Sequence, residues 1–396
     1  MLNTLSYALL QATLLLASPV PDHGATPDPE SLDGYNKTIF IPYLNPFTSL
    51  KTPIIIGDIA GIKFQFPVDT GSTGLIIGAS KLPQISANAG TPGHQYLDSS
   101  ETLYVGRWVD VAVTFYGLKI EQAVSRLPIL VVDKSWYCPE YKKGVDKDKC
   151  PNKDATSNHD GDIVSLGVGF GLGVSAKYNP FLNVKVVDQD DVDKGYFRDG
   201  YYIGTDGIFL GLTNKNTDTA AWVSLDHGNG TYYKRDDDWA GKYDWKMLKT
   251  SFKVNNQGPY SGSALFDTGV AEMYLQSLPA ASIPNATVNS PVHDSEQIQV
   301  AKPGTKLKFG FPALGYGNVA GYGFTVGDKE FPSQPYFVQA VSDYPGPYVN
   351  TGRKFLWGFS IAYDAVGGRL GFICLKCKQE KKTEEPKGDA NGEWQG

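Results

Sequence analysis

The clearest pattern in the chain is the alternation Ile62-Lys63-Phe64-Gln65-Phe66, apolar and polar by turns, which predicts a half-buried β-strand. Two apolar runs precede it, Thr38-Ile39-Phe40-Ile41 and Pro53-Ile54-Ile55-Ile56-Gly57, and both read as strands. Tyr104, Val105, Trp108, Val109, Val111 and Val113 are residues that favour strands, and Tyr116-Gly117 ends their run. With the residues from Tyr96 onward they predict a hairpin reaching Phe115. Gly200 to Leu212 reads as strands and turns. Leu5 to Ala17 is mostly apolar and is followed by Ala17-Ser18-Pro19, the pattern of a secretory signal over residues 1–18. The run is too short to span a membrane, and no other stretch is long enough. Residues 19–35 are polar and rich in Pro and Asp and read as a linker. The charged tail 378–396 has the composition of a disordered segment.

Composition narrows this picture. With 396 residues the chain can fill two domains. Its 44 Gly and 23 Tyr against 3 Met favour strands and turns over helices. A net charge of −6 disfavours nucleic acid as a partner and suits an acidic extracellular medium. Four cysteines fit a secreted chain. Cys138 and Cys150 bracket a short Lys-rich loop and are expected to pair. Cys374 and Cys377 form a Cys-x-x-Cys whose readings are a redox or metal motif, a tight disulfide, or crossed pairing with the first two. Asn36, Asn229 and Asn285 open Asn-x-Ser/Thr sequons, which in a secreted chain mark glycosylated surface loops.

The chemistry is carried by a repeated motif. Phe66 to Thr73 contains Asp69-Thr70-Gly71-Ser72, and Ala264 to Val270 contains Asp267-Thr268-Gly269-Val270. Each copy follows apolar residues and is followed by more of them (Leu75-Ile76-Ile77 and Met273-Tyr274-Leu275), and the copies lie about half a chain apart. A carboxylate on a tight turn at the end of a buried strand is held rigidly, and Gly71 and Gly269 allow close approach. Two carboxyls brought together cannot both ionise, so such a pair shares one proton. The charged member can activate a water while the protonated member polarises a carbonyl.

These two motifs resemble those of pepsin-like aspartic proteases, and the resemblance runs from about Ile39 to Ile373. It implies an all-β, bilobal double β-barrel with an active-site cleft between the lobes. The N-terminal lobe is expected over 36–220 with Asp69, and the C-terminal lobe over 221–377 with Asp267. Asp69 and Asp267 would be catalytic. Thr70 and Thr268 would cross-link the two loops, and Ser72 would donate to the outer oxygen of Asp69. Asp162 to Gly167 would support the first loop from beneath. The hairpin would close over the cleft as a flap, with Tyr96 as the flap tyrosine. Arg353 to Ala362 would match the family's short helix.

Several positions depart from the family pattern. The flap tip reads Leu97-Asp98-Ser99-Ser100 instead of glycines, and Ile76 stands where the family has a Trp. Val270 replaces the usual Thr or Ser, so Asp267 is expected to lack an outer donor and to hold the shared proton. Asn350-Thr351 replaces an apolar pair before Gly352. No Lys or Arg precedes Lys37, so a basic prosegment that plugs the cleft is not expected. Ala221 to Asp244 looks like an insertion.

Other chemistries read poorly. The five histidines are scattered, with no metal-ligating spacing, and neither the glycine run Gly167 to Gly173 nor Gly315-x-Gly317-x-x-Ala320 continues into a nucleotide-binding pattern. The reading is a secreted, monomeric aspartic endopeptidase acting on an extended peptide or unfolded protein, with no metal, cofactor, membrane span or nucleic acid. Its rivals are a pepsin-like fold that binds without cutting and a dyad repurposed for acid–base chemistry on a small molecule.

Overall fold

The structure, a computed structural model, describes residues 30–151, 157–158, 162–172, 176–228, 243, 245–278, 283–290, 297–315, 317–328, 332–342 and 344–375. The signal and most of the linker, Asn229, Cys377 and the tail lie outside these residues.

The alternation of residues 62–68 becomes burial. In the strand Ile62–Asp69, Phe64, Phe66 and Val68 are buried while Lys63 and Gln65 face solvent. The strand pairs antiparallel with Ile54–Ile59, whose Ile55 and Ile59 are fully buried. Fully burying one such side chain stabilises by about 1.5–3 kcal/mol, so the core face fixes the register that delivers Asp69. Regular structure is β throughout, with only short 3-10 turns among the described residues.

The strands form three sheets. The first motif lies in a sheet built from residues 54–191, and the second in a sheet built from residues 248–350. A third, six-stranded sheet joins them, in the order Ile39–Pro42, Gly207–Leu210, Gly200–Ile203, Phe359–Asp364, Arg369–Cys374, Ala221–Ser224. All its pairings are antiparallel. The chain thus has an all-β architecture in which two sheets, each carrying one motif, are joined by a third. The joining sheet takes strands from the beginning, middle and end of the sequence. Stacked and edge-on aromatic rings run through it, from Phe181 to Tyr201 to Tyr363.

The two lobes present their motifs on the same scaffold. Val68-Asp69 pairs parallel with Leu166-Gly167, and the strand leaving the motif, Thr73–Gly78, returns antiparallel along Val164–Val168. In the other lobe Leu265 pairs parallel with Asn350, and Met273–Gln276 returns antiparallel along Tyr348–Asn350. One middle strand in each lobe therefore separates the strand entering the Asp turn from the strand leaving it.

The end of the joining sheet holds a buried ionic cluster. Arg198 meets Asp364 through two parallel hydrogen bonds of 2.8 Å, and Arg369 adds a third of 2.8 Å. Asp364 is fully buried, and both arginines are buried as well. Their remaining donors reach the carbonyls of Ser31 and Glu30. Leu32, at the end of the expected linker, is buried against Leu212 and Ala362.

Two local expectations are corrected. The helix expected over Arg353 to Ala362 is a 3-10 turn, Arg353–Trp357, and Phe359–Asp364 continues as a strand of the joining sheet. Asn285 opens an edge strand, Asn285–Asn289, rather than a loop, and is half-buried; Asn36 is exposed. Cys138 and Cys150 are joined in a disulfide, with Cα atoms 5.8 Å apart. Cys374 is also disulfide-bonded. No helix among the described residues is long and apolar enough to cross a membrane.

Candidate active site

The two Asp-Thr-Gly turns meet where the first two sheets adjoin. Thr70 and Thr268 carry the junction. The N–H of Thr70 donates to the Thr268 hydroxyl at 3.1 Å, and the N–H of Thr268 donates to the Thr70 hydroxyl at 2.9 Å. Each hydroxyl then donates to a carbonyl of the opposite strand, Thr70 to Phe266 at 2.5 Å and Thr268 to Val68 at 2.6 Å. Both threonines are buried, so every one of these groups depends on the exchange for its partner.

This junction sets the carboxyls face to face. A Cβ placed on Gly71 would collide with the carboxyl of Asp267, and one placed on Gly269 would collide with that of Asp69. The glycines are required here for close approach rather than for an unusual backbone angle. Each N–H of these glycines donates 2.7 Å to the Oδ1 of its own Asp. The Ser72 hydroxyl donates 2.5 Å to Oδ2 of Asp69. All seven of Asp69, Thr70, Gly71, Ser72, Asp267, Thr268 and Gly269 are thus brought together.

Asp267 departs from its expected surroundings. Val270 supplies no donor, yet Oδ2 of Asp267 is not left bare: the side-chain amide of Asn350 donates to it at 2.7 Å. The expectation that Asp267 lacks an outer donor is corrected, and the residue that corrects it is the polar substitution in the middle strand. The consequence drawn from the missing donor survives on other grounds. Burial, and then the Asp69 carboxylate beside it, push Asp267 up to about 7, against the opposing pull of the Asn350 amide and the Gly269 N–H. Asp267 is 7% exposed, whereas Asp69 is half-buried.

Arg353 was not singled out by any motif. It is 4% exposed and lies under the second turn, donating to the carbonyls of Thr268 at 2.9 Å and Gly269 at 2.5 Å. It also donates to the Thr52 hydroxyl of the first lobe at 3.0 Å. Its cation faces Asp267, Glu272 and Asp69. Glu272, another residue without a sequence signal, is buried and accepts from the Tyr274 hydroxyl at 2.8 Å. Gly352 before Arg353 has φ +64°, and a Cβ there would overlap the Glu272 carbonyl, so the turn that aims Arg353 requires glycine.

The hairpin expected as a flap pairs Thr91–Leu97 with Thr102–Tyr116, closed by a turn at Asp98–Ser100. Neighbouring side chains on a strand point to opposite faces, and the parity falls on Gln95. Its amide donates to the Thr73 carbonyl, next to the first turn, at 3.3 Å. Tyr96 takes the other face. Its hydroxyl donates to the Cys138 carbonyl at 3.1 Å and its ring stacks on Tyr141 at 4.4 Å. Lys143 pairs with Asp98, and the Tyr137 hydroxyl donates to Glu101 at 2.6 Å. The hairpin tip is therefore tied to the Cys138–Cys150 loop.

Chemically, the site offers two adjoining carboxyls, one of them inclined to stay protonated near neutrality, each oriented by one backbone and one side-chain donor. Among the described residues no group of three His, Cys, Asp or Glu is placed to hold a metal ion. No protein-family profile matches the chain, and no curated protein matches it. Among solved structures it is similar to an aspartic proteinase from Irpex lacteus: 14% of residues are identical, the match covers 85% of this chain and 97% of that one, and the TM-score is 0.48.

Proposed function

We propose that the chain is a secreted aspartic endopeptidase, with Asp69 and Asp267 as its catalytic pair. The observation that carries this reading is the junction itself: two carboxyls on cross-linked turns, with burial holding the proton on Asp267. Asp69, half-exposed and served by Ser72 and Gly71, is the ionised base. It takes a proton from a water whose oxygen attacks the scissile carbonyl carbon. Asp267 gives its proton to the carbonyl oxygen, and a neutral tetrahedral diol results. As the C–N bond breaks, Asp69 returns its proton to the departing nitrogen and Asp267 recovers one from the diol hydroxyl, which restores the starting state. The charge at the carbonyl oxygen is neutralised by Asp267, so this sequence draws on no metal or covalent intermediate.

An extended peptide or unfolded protein is the substrate that suits a site bordered by strands, bound by main-chain pairing. Gln95, on the flap face turned toward the first turn, is placed to meet it. The Cys138–Cys150 disulfide supports an oxidising compartment, and with it secretion and glycosylation at Asn36 and Asn285. The lobes are taken as residues 36–220 and 221–377, and the protein as a monomer.

The test is cleavage of an unstructured protein from pH 3 to pH 7, with and without a statine-type inhibitor, for the native protein and for Asp69→Asn and Asp267→Asn. Inhibitor-sensitive cleavage that both substitutions reduce at least roughly a thousandfold supports the assignment. Folded native protein that cleaves nothing at any pH, or an Asp267→Asn variant with full activity, overturns it.

A further inference from the structure

Within its own turn Asp267 has an apolar residue, Val270, at the position where Asp69 has Ser72, three residues past each Asp. Its second donor instead comes from a strand 83 residues further on. We propose that Asn350 is a positioning residue of the pair: its side-chain amide replaces, from the neighbouring strand, the donor that Ser72 supplies to Asp69, and so sets the pH range over which Asp267 releases its proton. The proposal rests on reading the two carboxyls as a catalytic pair.

The geometry leaves the amide one orientation. Asn350 Oδ1 accepts from the Gly352 N–H at 3.0 Å, so Nδ2 is the atom that faces Asp267. The backbone is fixed on both sides, by parallel pairing with Leu265 and antiparallel pairing with Tyr274. Asn350 is 5% exposed, so no water competes freely for the contact. In the first lobe the matching position of the middle strand is Ser165, which pairs with Ile76; Ile76 and Tyr274 each lie seven residues past their Asp. Each lobe therefore supplies a side-chain donor to its carboxyl, one from the turn and the other from the middle strand.

An amide nitrogen also differs from a hydroxyl in kind. Ser72 can donate or accept; Nδ2 of Asn350 can only donate. When Asp267 is protonated, its hydrogen cannot lie along the Asn350 contact. It is confined to the oxygen lone pairs that remain, so a fixed amide both favours the ionised form and limits where the acid proton can sit. Several groups face Asp267 from the elements around it: Asp69 from the opposite turn, Arg353 from the 3-10 turn, Tyr274 and Tyr348 from the flanking strands, and Tyr363 from the joining sheet. The tyrosines are neutral over the working range, because burial holds each above its ordinary value. Asp69 and Arg353 remain in place in the variants below.

The decisive measurement is a carboxyl carbon NMR titration of aspartate-labelled protein, with the Asp267 signal assigned by its loss in Asp267→Asn. Asn350→Leu removes the donor and is expected to move the upper titration of the pair upward by about one pH unit, the scale of one charge-assisted hydrogen bond. Val270→Thr in that background restores a donor from the turn and is expected to bring the titration most of the way back. Asn350→Asp, which keeps the acceptor for Gly352 and serves if the Leu variant fails to fold, is expected to raise the titration further. A folded Asn350→Leu or Asn350→Asp variant whose titration matches the native protein overturns the proposal. The titration needs no turnover, so a native protein that shows the shifts but cleaves no peptide would refute the peptidase reading and leave the role of Asn350 standing.

Discussion

Thr70 and Thr268 hold each other's backbone across the meeting of the lobes, each N–H donating to the other's hydroxyl. Because the exchange is reciprocal, neither turn can move without unseating the other. Thr268→Val keeps the shape but leaves the Thr70 N–H and the Val68 carbonyl without partners. The expected cost is about 1–3 kcal/mol of stability, read as a lower urea midpoint with unchanged slope. Activity is expected to fall further than stability, because the carboxyls lose their mutual alignment.

Asp267 makes stability depend on pH. Its carboxyl titrates near 7 in the folded chain and near 4 when unfolded. The folded state therefore binds more protons between those values, and its stability falls as pH rises from about 4 to about 7, then levels. Asp267→Asn removes this slope. Urea midpoints at pH 4.5 and pH 7 are expected to converge in the variant, with the gain over the native protein at pH 7. The same ionisation predicts that native kcat/KM declines as pH rises through about 7.

The tip of the hairpin Thr91–Tyr116 is anchored rather than free. Tyr96, Asp98 and Glu101 all bond to residues 137–143, at and just inside the Cys138–Cys150 loop. Replacing both cysteines by Ala is expected to lower stability by about 3 kcal/mol, from the loop-closure entropy of a segment this short. It is also expected to speed amide exchange over residues 96–102. Asp98→Asn alone, removing a pair exposed to solvent, is expected to change stability by less than about 1 kcal/mol.

Much of this was legible because it is local. The Asp-Thr-Gly turns, the Ser72 donor, the alternating strand before Asp69 and the Cys138–Cys150 pair are each encoded within about a dozen residues, whereas the pairing of Thr70 with Thr268, 198 residues apart, came only from the family resemblance. What escaped depends on register. Asn350 reads as a polar substitution until pairing with Leu265 sets it beside Asp267. Arg353 looks like any basic residue after a glycine until the Gly352 turn folds it under the second loop. Tyr96 and Gln95 are adjacent, and the hairpin's parity alone decides which faces the site. Nothing in the sequence marks the charges of Arg198, Asp364 and Arg369 as a cluster, because their mutual burial joins segments 166 residues apart.

The joining sheet has a consequence for how the molecule is made. Ile39–Pro42 waits for Gly207–Leu210, and Gly200–Ile203 waits in turn for Phe359–Asp364. Arg198 stays without its carboxylate until Asp364, 166 residues further on, leaves the ribosome. Contacts this distant close late and slowly. The sheet that joins the two motif-bearing sheets is completed only after Arg369–Cys374 has emerged. A nascent fragment that holds only the first Asp-Thr-Gly turn thus carries one carboxyl of the pair and none of the threonine exchange that aligns it.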